Sequence, residues 1–174
     1  MITFIRSFLK NTMAAAAVEF ALTAPLMAVC LVGVVEVSNY ITAVRKVTSA
    51  AHTAADLIAQ STDITSSELS VLFQASRLVI DPLDDSDLTL GAASVRYDDD
   101  TGDPTEDWTG SYNSGSVSNS ETQAANLGSA GESVIIVTAT YSYTPAFDLV
   151  LSGPYTISET AITRPRYADY VGLY

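Results

Sequence analysis

Glu19 is the only charged side chain in the apolar run MAAAAVEFALTAPLMAVCLVGVV, residues 13–35. A carboxylate there costs on the order of a few kcal/mol near the centre of a membrane helix, so its chemistry is pairing with a cation or a donor. The other candidates are few. Cys30, the single cysteine, lies in the same run and reads as a small hydrophobe, and no intramolecular disulfide can form. Met27, Ala28 and Val29 before it do not suit a lipoprotein cleavage site, which wants a small residue directly before the cysteine. His52, the single histidine, has no cysteine beside it and reads as a surface or spine residue.

Residues 98–107 hold six acids in ten positions, and hard cations such as calcium take oxygen ligands. The spacing of Asp98, Asp100, Gly102 and Asp103 departs from an EF-hand loop, and a solvated charge run is the better reading. No nucleophile elbow, phosphate-cradling glycine loop or metal-ligand cluster is evident. No catalytic, cofactor-binding or metal residue is therefore expected, and the chain is not read as an enzyme.

The element that positions Glu19 is a helix. A run of about 20 apolar residues is what a bilayer core requires, and the helical period continues beyond it through Val37, Tyr40, Ile41, Val44, Val47, Ala51, Ala54, Ala55 and Ile58. One helix is expected over residues 15–60, its first half in lipid and its second half the spine of an exported domain, with Pro25 producing no more than a kink. Thr65 and Glu68 have capping-box spacing for a second helix, stopped at Asp81 and Pro82. The period then changes to two. Strands are expected over 88–97, with Gly91 as a bulge, over 132–144 and over 155–163, giving a small antiparallel sheet. Residues 98–107 and 109–131 read as polar loops. Trp108, Tyr112 and Tyr155 are either an exposed contact surface or packing. The fold class is α+β.

Charge divides the 174 residues in the same place. Residues 1–46 carry four bases against two acids, and the rest carries eighteen acids against four arginines. Arg6 and Lys10 favour a cytoplasmic N-terminus and an acidic domain outside. That acidic surface argues against nucleic acid as a partner. An ordinary secretory signal places small residues after its apolar core, whereas here they precede it, which suggests a cut on the cytoplasmic side that leaves the helix on the mature chain.

The stretch AAAAVEFALTAPL with its long amphipathic continuation resembles the N-terminus of TadE/TadF-like minor pseudopilins of the tight-adherence (Tad, or Flp) pilus system. Tyr141-Ser142-Tyr143-Thr144-Pro145, the apolar stretch to Leu151, residues 158–162 and Arg164-Pro165-Arg166 resemble the strand, turn, strand and arginine-proline-arginine ending of TadE-like proteins. The resemblance implies cleavage by a prepilin peptidase between Ala14 and Ala15, which makes Glu19 the fifth mature residue and Phe20 the aromatic that follows it. Ala14 stands where the family usually has glycine. Cleavage would free an ammonium at Ala15, and Glu19 of one subunit meeting Ala15 of its neighbour would set axial register, since an unpaired buried charge costs several kcal/mol while a paired one roughly breaks even.

The expected organisation is a leader over residues 1–14, a transmembrane and assembly helix over 15–36, and an exported pilin-like domain over 37–174. The function implied is a minor pilin anchored in the inner membrane before assembly, with its C-terminal domain periplasmic or displayed at a pilus tip. Its partners would be the prepilin peptidase, pilus platform proteins, another minor pilin, the major pilin and membrane lipid. The rivals are an uncleaved single-pass protein with a periplasmic partner- or ion-binding domain, and a surface adhesin.

Overall fold

A computed structural model describes residues 12–147 and 149–174; the expected leader lies largely outside the described residues. Helix α1 (Thr12–Ala59) runs unbroken through Pro25. The chain then forms β1 (Asp63–Ile64), α2 (Ser66–Arg77), β2 (Leu88–Tyr97), β3 (Pro104–Tyr112), α3 (Ser120–Ala124), β4 (Ser133–Tyr143), β5 (Tyr155–Thr163) and β6 (Gly172–Leu173). This is the α+β class expected from the sequence.

Two compact units share these elements. One consists of the chain to Tyr40 together with Pro145–Gly153, and the other of Ile41–Thr144 with Pro154–Tyr174. In the first, the apolar side chains of α1 face outward on every side: Phe20, Leu22, Leu26, Met27, Leu31 and Val34 are each 66–75 % exposed. Cys30 is exposed as well, so within one chain it is not the buried hydrophobe its surroundings in sequence suggest. An apolar helix with no dry face of its own calls for lipid or other helices around it.

In the second unit α1 has one buried face. Ala43, Val47, Ala50, Ala51, Ala54, Ala55, Ile58 and Ala59 recur at helical spacing and are almost fully buried. The main sheet has the order β3-β2-β4-β5, all antiparallel. One of its faces carries Leu88, Leu90, Ala92, Ile135, Val137, Ala139, Tyr141, Ile157 and Ala161, all buried. Helix α2 packs on that face at β3, where Leu69 and Phe73 lie over Gly110; a Cβ there would meet the Leu69 side chain at 2.3 Å. Lys46 on α1 donates to the carbonyls of Val79 and Asp81 just past the end of α2, a cation set where a helix leaves carbonyls unpaired.

The opposite face is covered over part of its length. Val95, Tyr97, Val134 and Ile136 cluster with Ala124 of α3 and with Val117, and the Tyr97 hydroxyl donates to the Ala124 carbonyl. Beyond that cover the same face is polar, with Thr138 opposite Thr160 and Thr140 opposite Ser158 within hydrogen-bond distance. This explains why β4 is buried on both faces at its start and alternates only afterwards.

Two sequence expectations change, and one alternative left open is decided. The sheet has four strands, because β3 crosses both stretches expected to be loops. Its segment PTEDWTGSY buries only Trp108, so it shows no apolar alternation; it is an edge strand whose acids face solvent, an arrangement that discourages edge-to-edge pairing. Gly91 is in register with Ser111 and Thr138, and the irregularity falls elsewhere, between the pairs Ser94 with Trp108 and Val95 with Glu106, which leaves Asp107 as the extra residue on β3. Gly91 is instead where the backbone of Ser116 comes close, with a Cβ there only 2.5 Å from it. Trp108 is packing rather than contact surface: it is buried and donates from Nε1 to the Val171 carbonyl at 2.7 Å, beside the parallel pair of β1 and β6.

The second helix starts as its sequence predicts. Thr65 Oγ1 accepts from the Glu68 N–H at 3.2 Å, and the Thr65 N–H donates to Glu68 Oε2 at 2.8 Å. The Thr65 N–H, with its hydroxyl in support, holds the Glu68 carboxyl below its ordinary range against the opposing effect of burial. A depressed folded-state value stabilises at pH above the unfolded glutamate range, about 4.3, and is lost as pH falls through the lower folded value. Thr65→Ala is expected to lower stability by about 0.5–2 kcal/mol and Glu68→Gln to flatten the acid limb below that range; urea unfolding of the detergent-solubilised chain across pH checks both.

Candidate functional site

The assembly residues predicted from sequence lie together near the start of α1. Ala15 and Glu19 are four residues apart and so share a helix face, with Phe20 beside them. Glu19 and Phe20 are exposed, and among the described residues the Glu19 carboxylate has no partner. Thr23 donates from Oγ1 to the Glu19 carbonyl at 3.0 Å and also reaches the Phe20 carbonyl, which anchors the turn before Pro25. Pro25 is exposed on the unbroken helix. Ala14 lies on the first turns of the same helix. The arrangement can do one thing chemically: offer a carboxylate from an apolar, small-residue surface to a cation brought by another molecule.

A second carboxylate bounds the apolar run at its other end. Glu36 directly follows Val35 and is fully buried, although it lies in the unit where almost every other helix residue is exposed. It accepts three successive backbone N–H groups from the segment Pro145–Gly153: Leu149 on Oε1 at 3.2 Å, then Val150 and Leu151 on Oε2 at 2.9 and 3.0 Å. Three converging amides stabilise a carboxylate without a counter-cation. One turn earlier, Gly33 admits the Val150 side chain, since a Cβ would stand 3.2 Å from Val150 Cγ2. Glu36 and Gly33 together hold an irregular segment against the helix.

Sequence reasoning missed Glu36. The available signal was its position, immediately after the apolar run and with no base within a helical turn on either side. Its partners are more than a hundred residues away, and no local pattern reaches them.

The arginine-proline-arginine ending makes contacts inside its own unit. Arg164 pairs with Glu132 at 3.4 Å and donates to the Leu127 carbonyl, while Arg166 pairs with Asp56 of α1 and donates its backbone N–H to the Ala59 carbonyl at 2.8 Å. Both side chains are about half exposed, so they fasten the chain end more by geometry than by ion-pair strength. Asp98 is engaged by its own turn: its Oδ1 accepts from the N–H groups of Asp100 and Thr101. The Thr101 amide leads in holding its carboxyl below the usual range. His52 is exposed on α1.

Among the described residues, one helix is long and apolar enough to cross a membrane, and it is compatible with a membrane anchor. Residues 14–56 match the family model for TadE-like protein, the family that the N-terminal motif resembles. The match spans the Ala14–Glu19 region, Pro25 and Glu36. No curated protein and no solved structure matches.

Replacing Glu36 by alanine removes the acceptor of three amides. Glu36→Ala is expected to free the segment around Leu149, raising its rate of cleavage by a non-specific protease in detergent, with Glu36→Gln intermediate because one acceptor oxygen remains. Equal cleavage rates in all three chains would contradict the role given to Glu36.

Proposed function

We propose that this chain is a minor pilin-like subunit of a Tad-type pilus system, an assembly component rather than an enzyme. A prepilin peptidase cuts between Ala14 and Ala15, and residues 15–36 hold the product in the inner membrane until it is drawn into a filament or priming complex. The observation that carries this reading is the coincidence of the TadE-like match over residues 14–56 with a helix that exposes apolar side chains all round and a carboxylate without a described partner.

The mechanism is mechanical. Cleavage creates an ammonium at Ala15 one turn from Glu19, and the two charges of one chain together cannot mark axial position. Between neighbouring chains they can, because a pair forms only when the helices are at one relative height. Ala15, Ala16, Ala17 and Ala21 let the backbones approach closely enough for that pair to form out of water. Platform proteins, a related minor pilin and the major pilin are the partners this process requires. The domain beyond residue 36 is then cargo, and its excess of acids keeps it soluble and off anionic lipid.

Glu19→Ala tests the register role. It is expected to abolish incorporation into pili, or association with the partner minor pilin, while leaving membrane insertion unchanged, because it removes a charge and adds a good helix former. Fractionation read beside co-purification with the major pilin checks it. Pili containing the variant at the ordinary level would defeat the reading and favour an uncleaved single-pass anchor.

A further inference from the structure

We propose that the segment Pro145–Gly153 is a second membrane contact, which sets Phe147, Leu149 and Val150 into the lipid interface beside α1. The inference rests on the membrane-anchor part of the proposed function. The segment groups with the helix to Tyr40 in one unit, and within that unit it is fastened at Gly33, inside the apolar run, and at Glu36, directly after it. Its height is therefore that of the end of the membrane span.

Its exposed side chains have the chemistry of lipid contacts. Phe147, Leu149 and Val150 are 59, 57 and 49 % exposed, values that fall between those of Val29 and Val34 on the apolar helix, 46 and 70 %. The segment contains no base and a single acid, Asp148. Irregular backbone at membrane depth is tolerated only where its polar groups are satisfied by protein. That is what Glu36 does, because it takes the N–H groups of the three residues that would otherwise carry bare amides toward hydrocarbon. The same bonds offset part of the cost of leaving Glu36 charged beside lipid. The lipid surface accounts for both halves of the arrangement: apolar side chains turned outward, and amides turned inward to a buried carboxylate. The attachment of the segment at Gly33, inside the apolar run, is what favours lipid over a protein partner.

The test uses the full chain carrying Cys30→Ala, in bilayers of phosphatidylethanolamine and phosphatidylglycerol, with one nitroxide attached through Phe147→Cys or Leu149→Cys. Leu26→Cys provides a lipid reference and Thr101→Cys a solvent reference. Collision with oxygen, which concentrates in lipid, is compared with collision with a water-soluble nickel chelate. The labels at 147 and 149 are expected to show an oxygen-to-nickel ratio several-fold above that at 101 and to approach that at 26. A ratio at 147 and 149 equal to that at 101, with 26 still in lipid, overturns the proposal and leaves the anchor intact. Shielding from both reagents also overturns it, since protein then covers the segment. Nickel access at 26 would instead mean that the anchor reading itself has failed.

Discussion

A carboxylate next to hydrocarbon must find donors, and the two at the ends of the apolar run meet that requirement differently. Glu36 finds them within the chain, in three amides brought from more than a hundred residues away. Glu19 finds none among the described residues. The first is a finished structural bond, and the second is an open valence. On the proposed reading the open one is what assembly uses, and the closed one lets the chain end its membrane segment without a second open charge.

The same helix changes character along its length, and each part follows from its surroundings. Toward the N-terminus the apolar residues point outward all round and no stripe forms. From Ala43 onward the buried positions fall on one face and are mostly alanine, which allows neighbouring elements to lie close to the backbone. Small residues at the contact limit the apolar area any one residue can bury. The larger side chains that complete the core come from the sheet and α2: Leu88, Leu90, Ile135, Val137 and Phe73. The ends of the second unit are tied by polar links, with Lys46 at the carbonyls after α2 and Arg166 at Asp56.

What could be read from the sequence was local. The unbroken apolar run, the Thr65–Glu68 cap and the alternation in β5 and the second half of β4 are each encoded in one short stretch of chain, and each is present, while β2 is a strand where expected but is buried on both faces over most of its length. Strand β3 escaped because an edge strand with one buried side chain has no alternation to detect; its pairing to β2 is decided by backbone groups rather than by side-chain pattern. Gly91 was visible as a special position, but not the reason, because the close approach of Ser116 is made by a distant part of the chain. At the candidate site, Glu19 stood out as a charge in an apolar run, whereas Glu36 looked like the first residue of a polar continuation. Only the placement of Leu149, Val150 and Leu151 distinguishes it from an exposed helix acid.

The central claim is that the charge meeting Glu19 does not exist until the chain is cut. The most direct measurement is the intact mass and N-terminal sequence of the protein taken from membranes with and without the cognate peptidase. A mature chain beginning at Ala15 only where the peptidase is present, with Glu19 fifth, is the result the account predicts. A chain beginning at Met1 in both samples would contradict it, for no ammonium would then stand at Ala15.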